Sequence, residues 1–68
     1  MGVLDRITHD PFVMAGKPCI RGMRVTVGTI VGLVASGSTD EEILADYPYL
    51  EREDIRQSLA YAQSRAAS

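Results

Sequence analysis

Pro11, Gly16, Pro18 and Gly22 punctuate the first third of this chain so closely that no helix fits between them. The pieces they leave, Phe12 to Met14, Cys19 to Arg21 and, past Gly22, Arg24 to Thr26, read as short strands or extended arms. Gly16 is free to take a positive φ in the Ala15-Gly16 turn, and Pro18 holds Lys17 extended. Strands this short need a partner strand, and a second copy of the chain is one source.

From Thr26 the period changes. Val27, Ile30, Val31 and Val34 recur at i, i+3, i+4 and i+7, the apolar face of a helix, with Thr26 as its N-cap and Gly37 as the residue that ends it. Gly28 and Gly32 lie on that helix, where each costs about 1 kcal/mol relative to alanine; either another backbone packs closely there or the cost is simply tolerated. Ser38-Thr39-Asp40-Glu41 reads as a capping box with Ser38 as N-cap and Glu41 at the third helical position. A short helix follows over Asp40 to Asp46, with Ile43 and Leu44 inward and acids at the positive end of its dipole. Tyr47-Pro48 stops it. A third helix begins near Arg52, with Ile55, Leu59 and Ala62 at helical spacing and Leu50 packing before its start; Ala66, Ala67 and Ser68 are expected to fray. The fold class expected is mainly α: a β arm or ribbon over 1–26, then a three-helix unit over 27–66 with the outline of a homeodomain-like helix-turn-helix bundle, all one domain.

The chain has 68 residues, a size that buries only about 60% of its unfolded surface and leans on a disulfide, a metal or a partner subunit. One cysteine, Cys19, and one histidine, His9, make neither a disulfide nor a closed zinc site within the chain, which leaves self-association. Cys19 reads as a small buried hydrophobe of an intracellular protein, and His9 as a polar residue at a strand end. No cofactor is expected. The opening MGVLDRITHD has no apolar core of signal-peptide length, and Val25 to Ala35 is too short and too interrupted to span a membrane, so a cytoplasmic protein is expected.

Charge is divided unevenly. Residues 1–26 carry Arg6, Lys17, Arg21 and Arg24 against Asp5 and Asp10, a net +2; residues 27–68 carry Arg52, Arg56 and Arg65 against Asp40, Glu41, Glu42, Asp46, Glu51, Glu53 and Asp54, a net −4. A DNA-reading helix needs cations near its N-terminus, yet the third helix begins Glu51-Arg52-Glu53-Asp54, with Arg56 one turn on. Three carboxylates there repel phosphate. If nucleic acid is bound, the candidates are Lys17, Arg21 and Arg24 of the ribbon, with Arg52 and Arg56. Arg21 and Arg24 bracket a tight bend at Gly22-Met23 and suit carboxylates or phosphates; they either pair internally with Asp40, Glu42 or Asp54, or face an outside partner. Tyr47 and Tyr49 flank Pro48 as possible interface anchors, and Tyr61 reads as core or rim. No catalytic constellation emerges, so no enzyme is expected.

The chain as a whole resembles the family catalogued as domain of unknown function 433. The resemblance is carried by Asp10-Pro11, Gly16-Lys17-Pro18, Ile20-Arg21-Gly22-Met23-Arg24, Gly37, Glu41-Glu42-Ile43-Leu44, Tyr47-Pro48-Tyr49-Leu50 and the run Asp54 to Ala62, over about residues 7 to 62. Met23 and Glu51 depart from it, each standing where threonine is usual; the second leaves a weaker N-cap. The resemblance implies a winged or homeodomain-like helix-turn-helix antitoxin whose cognate toxin is a PIN-type ribonuclease, metal-dependent and acidic at its active site. On that implication Arg21 and Arg24 pair with acids, Lys17 steers, Tyr49 or Tyr61 anchors, and the protein is a homodimer. Operator DNA binding and a purely structural dimerisation module are the alternatives.

Overall fold

Strand β1 (Ile7–Thr8) pairs antiparallel with β2 (Cys19–Ile20), Ile7 opposite Ile20 and Thr8 opposite Cys19, in a computed structural model that describes residues 4–66. The partner strand therefore comes from the same chain and not from a second copy. Of the three extended pieces expected, only Cys19–Ile20 becomes a strand. Arg24 to Thr26 supplies a single bridge, Thr26 opposite Cys19, with Ile20 N–H donating to Val25 O and Val27 N–H to Pro18 O, both at 2.9 Å. Pairing stops there because proline has no N–H to extend the ladder and a helix begins at Val27.

Phe12 to Met14 is not a strand, because turn chemistry at Asp10 overrides it. The Asp10 carboxylate accepts from Phe12 N–H and its carbonyl from Val13 N–H, both at 2.9 Å, an Asx turn that reverses the chain. Met14, Ala15 and Gly16 follow at φ 49°, 57° and 81°. A left-handed residue bearing a Cβ costs about 1–2 kcal/mol, offset here by Gly16 N–H to Val13 O (3.1 Å) and Lys17 N–H to Met14 O (3.2 Å).

Helix α1 (Val27–Ala35) starts where the sequence says it should: the Thr26 hydroxyl accepts from Thr29 N–H at 3.1 Å. It ends on Gly37 at φ 98°, with Gly37 N–H on Val34 O and Ser38 N–H on Leu33 O, each at 3.0 Å. This double closure is the Schellman pattern, and it corrects the capping box. Ser38 is occupied in closing α1, so the N-cap of α2 (Asp40–Asp46) is one residue later, with Thr39 Oγ1 accepting from Glu42 N–H (3.2 Å) and Glu42 Oε1 from Thr39 N–H (2.8 Å). Among the described residues no backbone packs on the α1 glycines. A Cβ at Gly32 would meet nothing within 4 Å, and one at Gly28 only the Thr26 hydroxyl.

Helix α3 (Arg52–Ala66) follows the Tyr47-Pro48 stop. Residues 67 and 68, part of the expected fraying, lie outside the described residues. Ile20, Val25, Val27, Ile30, Ile43, Leu50 and Ile55 form one buried core shared by ribbon and helices, with Leu59 and Tyr61 packed at its edge. Cys19 is buried as expected. Beside the apolar stripe of α3 runs a second, polar one that is also buried: Asp54, Gln57 and Ser58. That stripe fixes where the ribbon sits.

Candidate functional site

Asp54 occupies the third position of α3, where a carboxylate favours the helix N-terminus and reaches back over the first turn. Its Oδ2 accepts from Glu51 N–H at 2.8 Å, half of a capping box that makes up for the absent threonine. The side chain is 0% exposed, and two cations of the N-terminal ribbon reach it. Arg21 binds it bidentately through the Nε–Nη2 edge of the guanidinium, Nε to Oδ1 at 3.2 Å and Nη2 to Oδ2 at 2.9 Å, and Nη2 also donates to Tyr49 O at 2.7 Å. Arg6 donates from Nη1 to Asp54 Oδ1 at 3.0 Å and to Glu51.

Backbone geometry delivers Arg21. Arg21 and Gly22 both have positive φ, 49° and 73°, and Met23 N–H closes on Ile20 O at 2.8 Å, the signature of a type I′ turn. The turn is held from below by Arg21 N–H on Arg6 O (2.7 Å) and Gly22 N–H on the Thr8 hydroxyl (2.8 Å). Burial pushes the Asp54 carboxyl up, but the hydrogen bonds from Arg21, the Glu51 amide and Arg6 outweigh it and hold its pKa below the ordinary value. The Glu51 carboxylate and then Asp54 raise the pKa of Arg6, and Asp54 raises that of Arg21.

Gln57 extends the join. Its Oε1 accepts from Arg6 N–H (3.0 Å), and its amide donates to Asp5 (2.9 Å) and Glu53 (3.0 Å). Ser58 Oγ donates to Asp54 O at 2.8 Å. Among the described residues no buried side-chain nitrogen or oxygen lacks a partner.

The residues singled out by sequence divide into two groups. Arg21 pairs inward with Asp54, one of the internal options, and lies against the Tyr49 carbonyl. Arg52 is held by Glu41 (2.7 Å) and Asp40 (3.3 Å) of α2, and Arg56 by Glu53, whose own carboxyl is lowered to about 2 chiefly by Arg56 and then by Gln57. The Tyr61 hydroxyl shares a hydrogen bond with His9 Nε2 (3.1 Å), its ring centre lies 6.0 Å from the Arg65 guanidinium, and the residue is half-buried. Lys17 and Arg24 differ. Both are exposed, and among the described residues neither side chain forms a hydrogen bond or ion pair. Tyr49 keeps its ring half-exposed, edge-on to Tyr47 at 6.1 Å between centroids.

Sequence reasoning missed Arg6 and Gln57, which bind the arm to α3, and Phe12, which stands exposed on the loop between the strands. An aspartate three residues after Glu51 is the local signal that could have marked Asp54 as a capping carboxylate; nothing local in sequence joins it to Arg6. No group of three histidine, cysteine or acidic side chains among the described residues is placed to hold a metal ion, and no helix is long and apolar enough to cross a membrane.

Comparison with known proteins agrees with this architecture. The family model described as "Protein of unknown function (DUF433)" matches residues 7–62. The chain is 36% identical over 58 residues to the uncharacterized protein y4eO of Sinorhizobium fredii, a match covering 85% of this chain and 26% of that protein, so this chain spans about a quarter of y4eO's length. Its fold is similar to the crystal structure of a DUF433 member protein from Anabaena variabilis, with a TM-score of 0.84 and 34% identity over 91% of this chain and 61% of that one.

Proposed function

The chain belongs to the DUF433 family, and from that premise we propose that it is an antitoxin-like binding protein, not an enzyme, which masks a PIN-type ribonuclease through its N-terminal ribbon. The observation that carries this reading is the division of cations. Arg6, Arg21, Arg52 and Arg56 are neutralised by the chain's own carboxylates, whereas Lys17 and Arg24 have no such partner among the described residues. Cations left over on a ribbon suit a partner of opposite charge, and a ribonuclease with an acidic centre is one. The role of acid-pairing residue therefore passes to Arg24, with Lys17 steering, and Arg21 serves to aim the turn. Tyr49 adds amphipathic surface next to it. The protein acts as a homodimer in the cytoplasm.

The same division weighs against direct DNA reading by α3, because both exposed arginines of its first turns are engaged by acids and the helix keeps its carboxylates. The test is co-purification with, and neutralisation of, the product of the adjacent reading frame. Lys17→Glu/Arg24→Glu should lose binding and neutralisation with its melting temperature unchanged. A double variant that neutralises as well as wild type would falsify the assignment.

A further inference from the structure

The loop between β1 and β2 holds a side chain that the ribbon's charges do not explain. Phe12 is 90% exposed, and Met14, two residues on, is also exposed. The backbone beneath them is built: the Asx turn at Asp10 fixes Phe12 N–H, two further amide bonds close Val13 to Lys17, and a Cβ on Gly16 would stand 3.7 Å from Pro11 Cα, so the loop folds back on itself. Compact loops with adjacent ends are frequently functional. Left-handed residues with side chains, as at Met14 and Ala15, persist where the surroundings over-determine them, and they gather at binding sites.

We propose that Phe12, with Met14 beside it, is the apolar anchor of a protein interface, inserting into a socket on a different protein that is lined by apolar side chains and rimmed by carboxylates. Lys17, at the foot of the loop with its N–H on Met14 O, has an ammonium without a partner among the described residues and fits that rim. A second copy of the chain is the competing receptor, and the solution mass measured below separates it from a different protein. An anionic lipid surface is disfavoured by the net charge of −2 and the acids at the start of α2. This inference rests on the reading of the chain as the binding partner of another protein, and adds where its binding energy is concentrated.

The experiment compares wild type, Phe12→Ser and Lys17→Glu for affinity toward the purified product of the adjacent reading frame, with melting temperature, solution mass and association with mixed zwitterionic and anionic phospholipid vesicles measured in parallel. Phe12→Ser should weaken binding by about 30-fold or more at unchanged melting temperature, and Lys17→Glu by a smaller factor that shrinks as salt is raised. If wild type binds and Phe12→Ser binds equally well, the anchor is wrong while the proposed function stands. If wild type does not bind, the proposed function fails and the anchor with it. A Phe12→Ser variant that loses vesicle association or self-association instead assigns the loop to a membrane or a second copy, and overturns the proposal.

Discussion

The base of the ribbon and the loop it carries treat their side chains in opposite ways. At the base, Arg6, Arg21, Asp54 and Gln57 converge until every buried polar side-chain atom among the described residues has a partner, and the carboxylate at the centre is removed from water. A few residues away, Phe12 is held almost entirely in solvent and Lys17 is left unpaired. The contrast shows how so small a chain divides its few charges: those that reach the first turn of α3 hold the arm in place, and those that do not are available to something else. A cation count from composition cannot separate the two.

The sharpest way to break this comparison is to remove the central acid. Asp54→Ala leaves two guanidinium groups facing a void and strips the cap from α3; a loss of about 3 kcal/mol is expected, the low end for an abandoned buried charge because both arginines reach solvent, measurable by urea denaturation. A value near zero would mean that the join is ornamental. Acid titration tests the same group more gently. Since the folded-state pKa of Asp54 lies below its unfolded value of about 3.9, its stabilisation is present above that pH and is lost as pH falls through the folded value. Unfolding curves of wild type should weaken below about pH 4 more steeply than those of Asp54→Asn. Next in size is the cap of α2. Thr39→Ala should cost about 1 kcal/mol while Ser38→Ala costs less, which separates the observed register from the one expected from sequence. The smallest effect belongs to the free group: Lys17→Ala and Arg24→Ala should leave the denaturation midpoint where it is.

Much of the helical part was legible because its signals are local. Thr26 before the apolar stripe, Gly37 after it and Pro48 between the last two helices act through bonds to near neighbours, and each does what its chemistry suggests. The capping register slipped by one residue for an equally local reason that the pattern S-T-D-E conceals: Ser38 and Thr39 are both good caps, and only the closure of α1 decides between them. The strand at Ile7–Thr8 is too short to show alternation, and its pairing with Cys19–Ile20 is set by contact across a loop. Asp54 is offered by the sequence as one of three internal partners, but the burial of Gln57 and Ser58 beside it is not legible, because a polar stripe looks alike in sequence whether water or another segment of the chain lies against it. What lies against it is the N-terminal ribbon: Arg21 on Asp54, and Arg6, nearly fifty positions earlier, on Asp54 and Gln57.

Arg6 and Arg21 stand on either side of the strand pair and its loop, and both end on the same carboxylate. A protein with a single cysteine has thus cinched its longest irregular segment with a charge-based clasp, in the place where an extracellular domain of this size would put a covalent one. Unlike a disulfide, such a clasp can be opened by acid or by a competing anion and closed again.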